Sequence, residues 1–188
     1  MQMKKFFCGS EMDRMPDWAF RIMTFMFDVA DFFGSSEKKL DLFDIRPGQT
    51  IIDYGSGTGR YLRRAAELAG ENGQVYAVDI HPLAIASAFR MIEKHNLKNV
   101  TPVLTDGISV EISSHTADII FALDMFHMVK DTGVFLKELS RLLKTTGTLY
   151  LEDGHQPRNL TRAKVMKSGC WEIMSETKTF IKCSAKTI

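Results

Sequence analysis

From Thr50 onward the chain alternates short apolar runs with segments of helical periodicity, and this alternation restricts the fold more than any other feature. Thr50–Tyr54, Gln74–Asp79, Asn99–Leu104, Ala117–Leu123 and Gly147–Glu152 read as strands. Arg60–Ala69, Pro82–His95 and Thr132–Leu143 carry the helical pattern between them. Strands this continuously apolar are buried on both faces. The pattern therefore predicts a parallel sheet with helices on both sides. After a predicted helix over Asn159–Lys167 the alternation stops. Cys170–Ser175 and Thr179–Ser184 are separated only by Glu176-Thr177-Lys178, too short a link for a parallel crossover, so they pair antiparallel.

Ahead of this core, Pro16–Phe33 reads as a helix with Trp18, Ile22, Phe25, Met26, Val29 and Phe33 turned inward. Pro16 suits its first turn and Gly34 its stop. A shorter helix over Ser35–Asp44 turns Leu40 and Phe43 inward, and Arg46-Pro47-Gly48 punctuates the chain. The 188 residues fit one domain: a helical segment over 1–44 that packs on the core, or closes over it as a lid, and an α/β core over 45–188.

The chemistry concentrates in Ile51-Ile52-Asp53-Tyr54-Gly55-Ser56-Gly57-Thr58-Gly59-Arg60, at a strand-to-helix junction where an open α/β sheet binds its ligand. Glycine permits torsions and close approaches that a side chain forbids. A dinucleotide fingerprint places its third glycine where this chain has Arg60, and a pyrophosphate disfavours a nearby anion. Asp53 precedes the first glycine by two residues and suits a ligand bearing an ammonium and a sulfonium. Asp79 ends the second strand at the interval of an acid that accepts from two ribose hydroxyls, followed by Ile80. Its structural alternative is to cap the helix that starts at Pro82. Asp106, followed by Gly107, can accept from an adenine amino group or serve only its own turn.

These residues resemble the motifs of class I S-adenosylmethionine-dependent methyltransferases. Asp53–Gly59 is similar to their glycine-rich first motif, Asp79 to their ribose acid and Asp106 to their adenine-side acid. Phe121–Val129 resembles the segment after their fourth strand, and Phe135–Gly147 the helix and glycine turn before their fifth. Thr145-Thr146-Gly147 stands where Pro-Gly is frequent. The resemblance runs from about Leu40 to Ala185, nearest to the small-molecule branch that includes quinone-biosynthesis methyltransferases. It implies a doubly wound, mostly parallel, seven-stranded sheet with one antiparallel strand near its edge. The implied cofactor is S-adenosyl-L-methionine, in contact with Asp53, Tyr54, Gly55, Ser56, Gly57, Gly59, Asp79, Ile80, Asp106, Gly107 and Leu123. The activity is methyl transfer to a small-molecule acceptor. A noncatalytic S-adenosylmethionine-binding protein and a nucleotide-cofactor oxidoreductase are the alternatives.

Asp124, His127 and His155 follow the ends of the fourth and fifth strands and are the polar candidates for the acceptor side. His127, with Asp124, is the predicted catalytic pair, since imidazole is the best base on reference pKa, with base assistance secondary to positioning; the alternative for His127 is a histidine at the start of a surface helix. Nucleic-acid methylation is disfavoured: Leu123-Asp124-Met125-Phe126 replaces the N/D-P-P-Y/F run, and there is no Pro-Cys. The net charge of +1 provides no basic footprint for nucleic acid or membrane. The five histidines form no HExxH pair and the three cysteines no metal spacing, so no metal is expected. Scattered cysteines and an apolar N-terminal run too short for a signal peptide point to reduced thiols and a cytoplasmic setting.

Overall fold

The computed structural model describes residues 14, 16–22, 24, 26 and 36–186. Seven strands form one sheet: β1 (Thr50–Tyr54), β2 (Gln74–Asp79), β3 (Val100–Leu104), β4 (Ala117–Ala122), β5 (Leu143–Glu152), β6 (Trp171–Glu176) and β7 (Phe180–Ala185). Their order is β3-β2-β1-β4-β5-β7-β6. The pairs among β1 to β5 are parallel, while β7 runs antiparallel to both neighbours. This is the expected sheet. Among the described residues, helices α1 (Leu62–Ala69), α2 (Pro82–His95), α3 (Thr132–Leu142) and α4 (Arg158–Ser168) cover it.

The strand alternation divides the core into two layers. Ile52, Tyr54, Ile120 and Ala122 join Phe135, Leu136 and Leu139 of α3, Val165 of α4 and Trp171 on one face. Ile51, Val75, Ala77, Ile119 and Phe121 meet Leu62, Ala65 and Ala69 of α1, Ala88 of α2, and Leu40 and Phe43 on the other. Trp171 is fully buried and its indole N–H donates to the Leu136 carbonyl at 3.0 Å, which satisfies the one polar atom that burial would otherwise penalise. Pro102 lies in edge strand β3, where a missing N–H is tolerated.

Four local expectations change. The helix after β1 starts at Leu62, because residues 60–61 complete the glycine turn. Thr145-Thr146-Gly147 lies within β5, which leaves α3 directly. The register jumps from Ala117↔Leu143 to Ile119↔Thr148, so the extra residues bulge out of the ladder. Ser36–Leu42 is a 3-10 helix, yet it buries Leu40 and Phe43 as expected. The fourth change concerns the N-terminal stripe. Residues 17–22, 24 and 26 are helical, but Trp18, Ile22 and Met26 are 67%, 53% and 63% exposed, and Phe20 is buried in their place. Periodicity identifies a stripe without saying which face meets the core, and here the ring of His81 selects Phe20. Phe25, Val29, Phe33 and Gly34, and Cys8, lie outside the described residues.

Candidate functional site

The strand order reverses between β1 and β4, and the crevice at such a switch point is where open α/β sheets bind ligands. The β1–α1 loop and the segment after β4 both open there. Two backbone bonds tie the loop to β2, with Gly55 N and Ser56 N donating to the Val78 carbonyl at 2.8 and 3.1 Å, and one closes the loop on itself, with Gly59 N donating to the Ser56 carbonyl at 2.8 Å.

The three loop glycines have positive φ, at 84°, 51° and 79° for Gly55, Gly57 and Gly59, yet their surroundings differ. A Cβ on Gly55 would lie 2.8 Å from Met125 Cγ. One on Gly59 would lie 3.1 Å from Leu62 Cδ1 and 3.2 Å from Met91 Cγ. These two glycines allow the loop to pack against the chain itself. Gly57 has only a backbone oxygen at 3.9 Å, so its open side leaves room for a ligand to approach the main chain.

Two acids flank this opening. Asp79 is buried; one carboxylate oxygen accepts from Gly57 N and the other from His81 N, each at 2.8 Å. The capping role belongs instead to His81, whose Nδ1 accepts from Leu83 N at 3.1 Å. Burial raises the Asp79 pKa, and the two backbone donors oppose the rise. Asp53 is 1% exposed, and its Oδ2 has no protein hydrogen-bond partner. Burial, then repulsion from Asp79, pushes its pKa well above the usual carboxylate range. The buried Ser56 hydroxyl also lacks a partner. Buried polar groups are normally satisfied, and two neighbouring buried acids, one with an unmet oxygen, beside an open glycine fit a cationic, hydroxyl-bearing ligand. S-adenosylmethionine is such a ligand.

The remaining predicted residues separate. Ile80, partly buried, follows Asp79 at the mouth. Leu123 is buried against the α1-side core. Tyr54 is 1% exposed, edge-on to Phe135 at 5.2 Å, so only its backbone can face a ligand. Asp106 Oδ1 accepts from Ile108 N and Ser109 N at 2.8 and 3.0 Å, which is the turn role; Gly107 takes φ 86° in the same turn.

Asp124 leaves β4 at φ 52°, an uncommon conformation outside glycine. It gathers with half-buried His127 and exposed His155, with one ligand-type atom of each within 4.8 Å of the others. The His127 and His155 rings stand 4.9 Å apart at 79°. Burial is the main cause lowering the His127 pKa, with Asp124 opposing it, which makes this imidazole a weakened base. Sequence reading placed all three at strand ends but missed that they converge, and missed Gly154. A Cβ there would fall 2.0 Å from His127 Nδ1. It also missed His81, whose signal was its place just before a helix-starting proline.

Residues 45–185 match the methyltransferase domain family. A ubiquinone/menaquinone biosynthesis C-methyltransferase of Teredinibacter turnerae is 28% identical over 121 residues, 64% of this chain and 49% of that protein. A protein-L-isoaspartate O-methyltransferase of Methanococcoides burtonii is 45% identical over 67 residues, 36% of this chain and 33% of that one. The chain thus spans about a third to a half of the length of these curated relatives. The crystal structure of a SAM-dependent methyltransferase from Aquifex aeolicus superposes with a TM-score of 0.79 at 21% identity, covering 92% of this chain and 100% of that one, and so shares the fold. No helix among the described residues is long and apolar enough to cross a membrane. With most of its length matched and the glycine loop at the switch point of the expected sheet, the chain belongs to the class I S-adenosylmethionine-dependent methyltransferase family.

Proposed function

We propose that the chain transfers the methyl group of S-adenosylmethionine to a small-molecule acceptor held at the carboxyl ends of β4 and β5. The observation that carries this reading is the buried pair of acids, Asp53 with an unmet acceptor and Asp79 under Gly57. The cofactor supplies a methyl group already activated on a positively charged sulfur. The chain's residues therefore have to bind, orient and exclude water. Asp79 keeps its two oxygens fixed on backbone donors, so its remaining lone pairs are pre-aimed at the ribose diol. Asp53 supplies negative charge for the ammonium and sulfonium. Ile80 and Leu123 offer apolar surface to the adenine, with Asp106 and Gly107 at its far side.

Asp124 and His127 stand on the acceptor side. Holding an acceptor in line with an activated methyl can supply most of the acceleration. The lowered His127 pKa gives a base role second place to positioning. A net charge of +1 supports a small acceptor over nucleic acid. The buried free thiols of Cys170 and Cys183 accord with a cytoplasmic setting.

The test is a melting experiment paired with a transfer assay. S-adenosylhomocysteine raises Tm in a concentration-dependent way and NAD does not. Labelled S-adenosylmethionine then marks a component of a metabolite extract. Stabilisation by NAD alone overturns the cofactor assignment; cofactor binding with no labelled product in any extract leaves a binding protein.

The same reading gives the N-terminal segment a role as a lid. The Phe20 ring lies 4.5 Å from that of His81, tilted by 32°, and Asp17 lies 3.5 Å from the Nε2 of His81, which is two residues from the proposed ribose acid. On binding S-adenosylhomocysteine, amide exchange at residues 17–22 is expected to slow together with that at Gly55–Gly59. Slowing at the loop alone would leave that helix a packing role only.

A further inference from the structure

We propose that Asp124, His127 and His155 form a binding site for a divalent transition-metal ion of the zinc class, whose open positions take an oxygen-bearing acceptor. The inference rests on the proposed location of the acceptor and gives that acceptor a chemical class. It also replaces the sequence-based expectation of no metal, because the three ligands come from two neighbouring strand ends that only the fold brings together.

Four observations support it. First, the donor set is two imidazoles and one carboxylate, with one ligand-type atom of each inside 4.8 Å. Nitrogen and carboxylate donors at about 2.1 Å from an ion lie about 3.4 Å apart in a tetrahedron. Small side-chain rotations bridge that difference, and Asp124 and His155, both exposed, are free of core packing. Second, the ring nitrogen Nδ1 of His127 is buried without a protein hydrogen-bond partner. Third, the backbone is shaped to bring the ligands together. Asp124 and Gly154 adopt φ of 52° and 62°, and a side chain at Gly154 would collide with the His127 ring. A non-glycine residue held at positive φ costs energy that the fold must supply elsewhere. Fourth, three protein ligands leave a coordination position open, as catalytic sites do and structural sites do not.

Imidazole and carboxylate together suit zinc or iron(II) better than magnesium, which prefers oxygen ligands and retains its water. An ion here would lie at the end of β4 and β5, beside the glycine loop's side of the crevice. A hydroxyl acceptor bound to it loses its proton to solvent more readily, because the cation stabilises the oxyanion.

The full chain, stripped with a chelator and titrated with Co2+, tests the site. Visible d–d absorption saturating at one ion per chain, and lost on adding Zn2+, is the expected result. Asp124→Asn and His155→Ala should each weaken Co2+ binding at least about tenfold. Because both residues are exposed, the variants keep their far-ultraviolet circular dichroism. The melting shift produced by S-adenosylhomocysteine is recorded on the same samples. Co2+ binding that the two substitutions leave unchanged, or its absence from the intact chain, overturns the metal site. Loss of the S-adenosylhomocysteine shift in the intact chain instead overturns the methyltransferase reading, whatever the Co2+ titration shows.

Discussion

Replacing Asp79 by Ala is expected to weaken S-adenosylhomocysteine binding by about 2–4 kcal/mol, roughly thirtyfold to a thousandfold in Kd. Two charge-assisted hydrogen bonds to the ribose diol account for the size. The carboxylate also accepts from Gly57 N and His81 N, so its removal slackens the loop and the start of α2 together. Asp79→Asn separates these contributions: the amide keeps one acceptor oxygen for a backbone N–H but carries no charge. Its NH2 faces the other backbone N–H, so part of the apo stability is lost as well, and affinity should fall at least about tenfold. Calorimetry with S-adenosylhomocysteine, alongside apo melting of both variants, measures this. Wild-type affinity in Asp79→Ala would reduce the residue to a brace for the glycine loop.

The second large effect concerns Asp53 and is expected to have opposite signs in the apo and bound states. Its folded pKa is raised by burial and by Asp79, whereas in the unfolded chain it titrates near the ordinary value of about 3.9. Between those values the folded state holds a proton that the unfolded state has released. Stability from this group is thus complete below the unfolded pKa and is lost as pH rises through the folded pKa. Asp53→Asn removes that loss, so the apo variant should melt higher than wild type at pH values above the folded pKa. The same substitution removes the negative charge that faces the cofactor's cation, and S-adenosylmethionine affinity should fall by about 1–3 kcal/mol. Wild-type affinity should also decline as pH falls through the raised pKa, while Asp53→Asn is flat there. Melting scans and binding isotherms across pH 4 to 9 test both halves. A variant that melts lower than wild type throughout, with unchanged affinity, would make Asp53 a structural acid.

The order of strands and helices was legible from Thr50 to Ala185 because the information is local. A strand buried on both faces must be continuously apolar, a covering helix must repeat every three to four residues, and a three-residue link cannot make a crossover. The same locality made the glycine loop and Asp79 legible, since each sits at a strand end fixed by its own hydrophobic run. What failed was relational. A helical stripe names a face without naming its partner, so Trp18, Ile22 and Met26 were expected inward although contact with His81 turns Phe20 inward.

By itself, then, the sequence determined the seven-strand, mostly parallel architecture with its reversed strand, the position of the glycine loop, and the placing of Asp53 and Asp79 at strand ends beside it. Only the tertiary structure decided what those residues face. It distinguished Gly57, open to the crevice, from Gly55 and Gly59, which make room for Met125, Leu62 and Met91. It gave the cap of α2 to His81, the turn at residues 106–109 to Asp106, and the core to the ring of Tyr54. It also brought Asp124, His127 and His155 together. The physical reason is that β4 and β5 are neighbours through the sheet's hydrogen bonds, so residues about 30 positions apart in the chain share one rim, a proximity that no spacing in the sequence encodes.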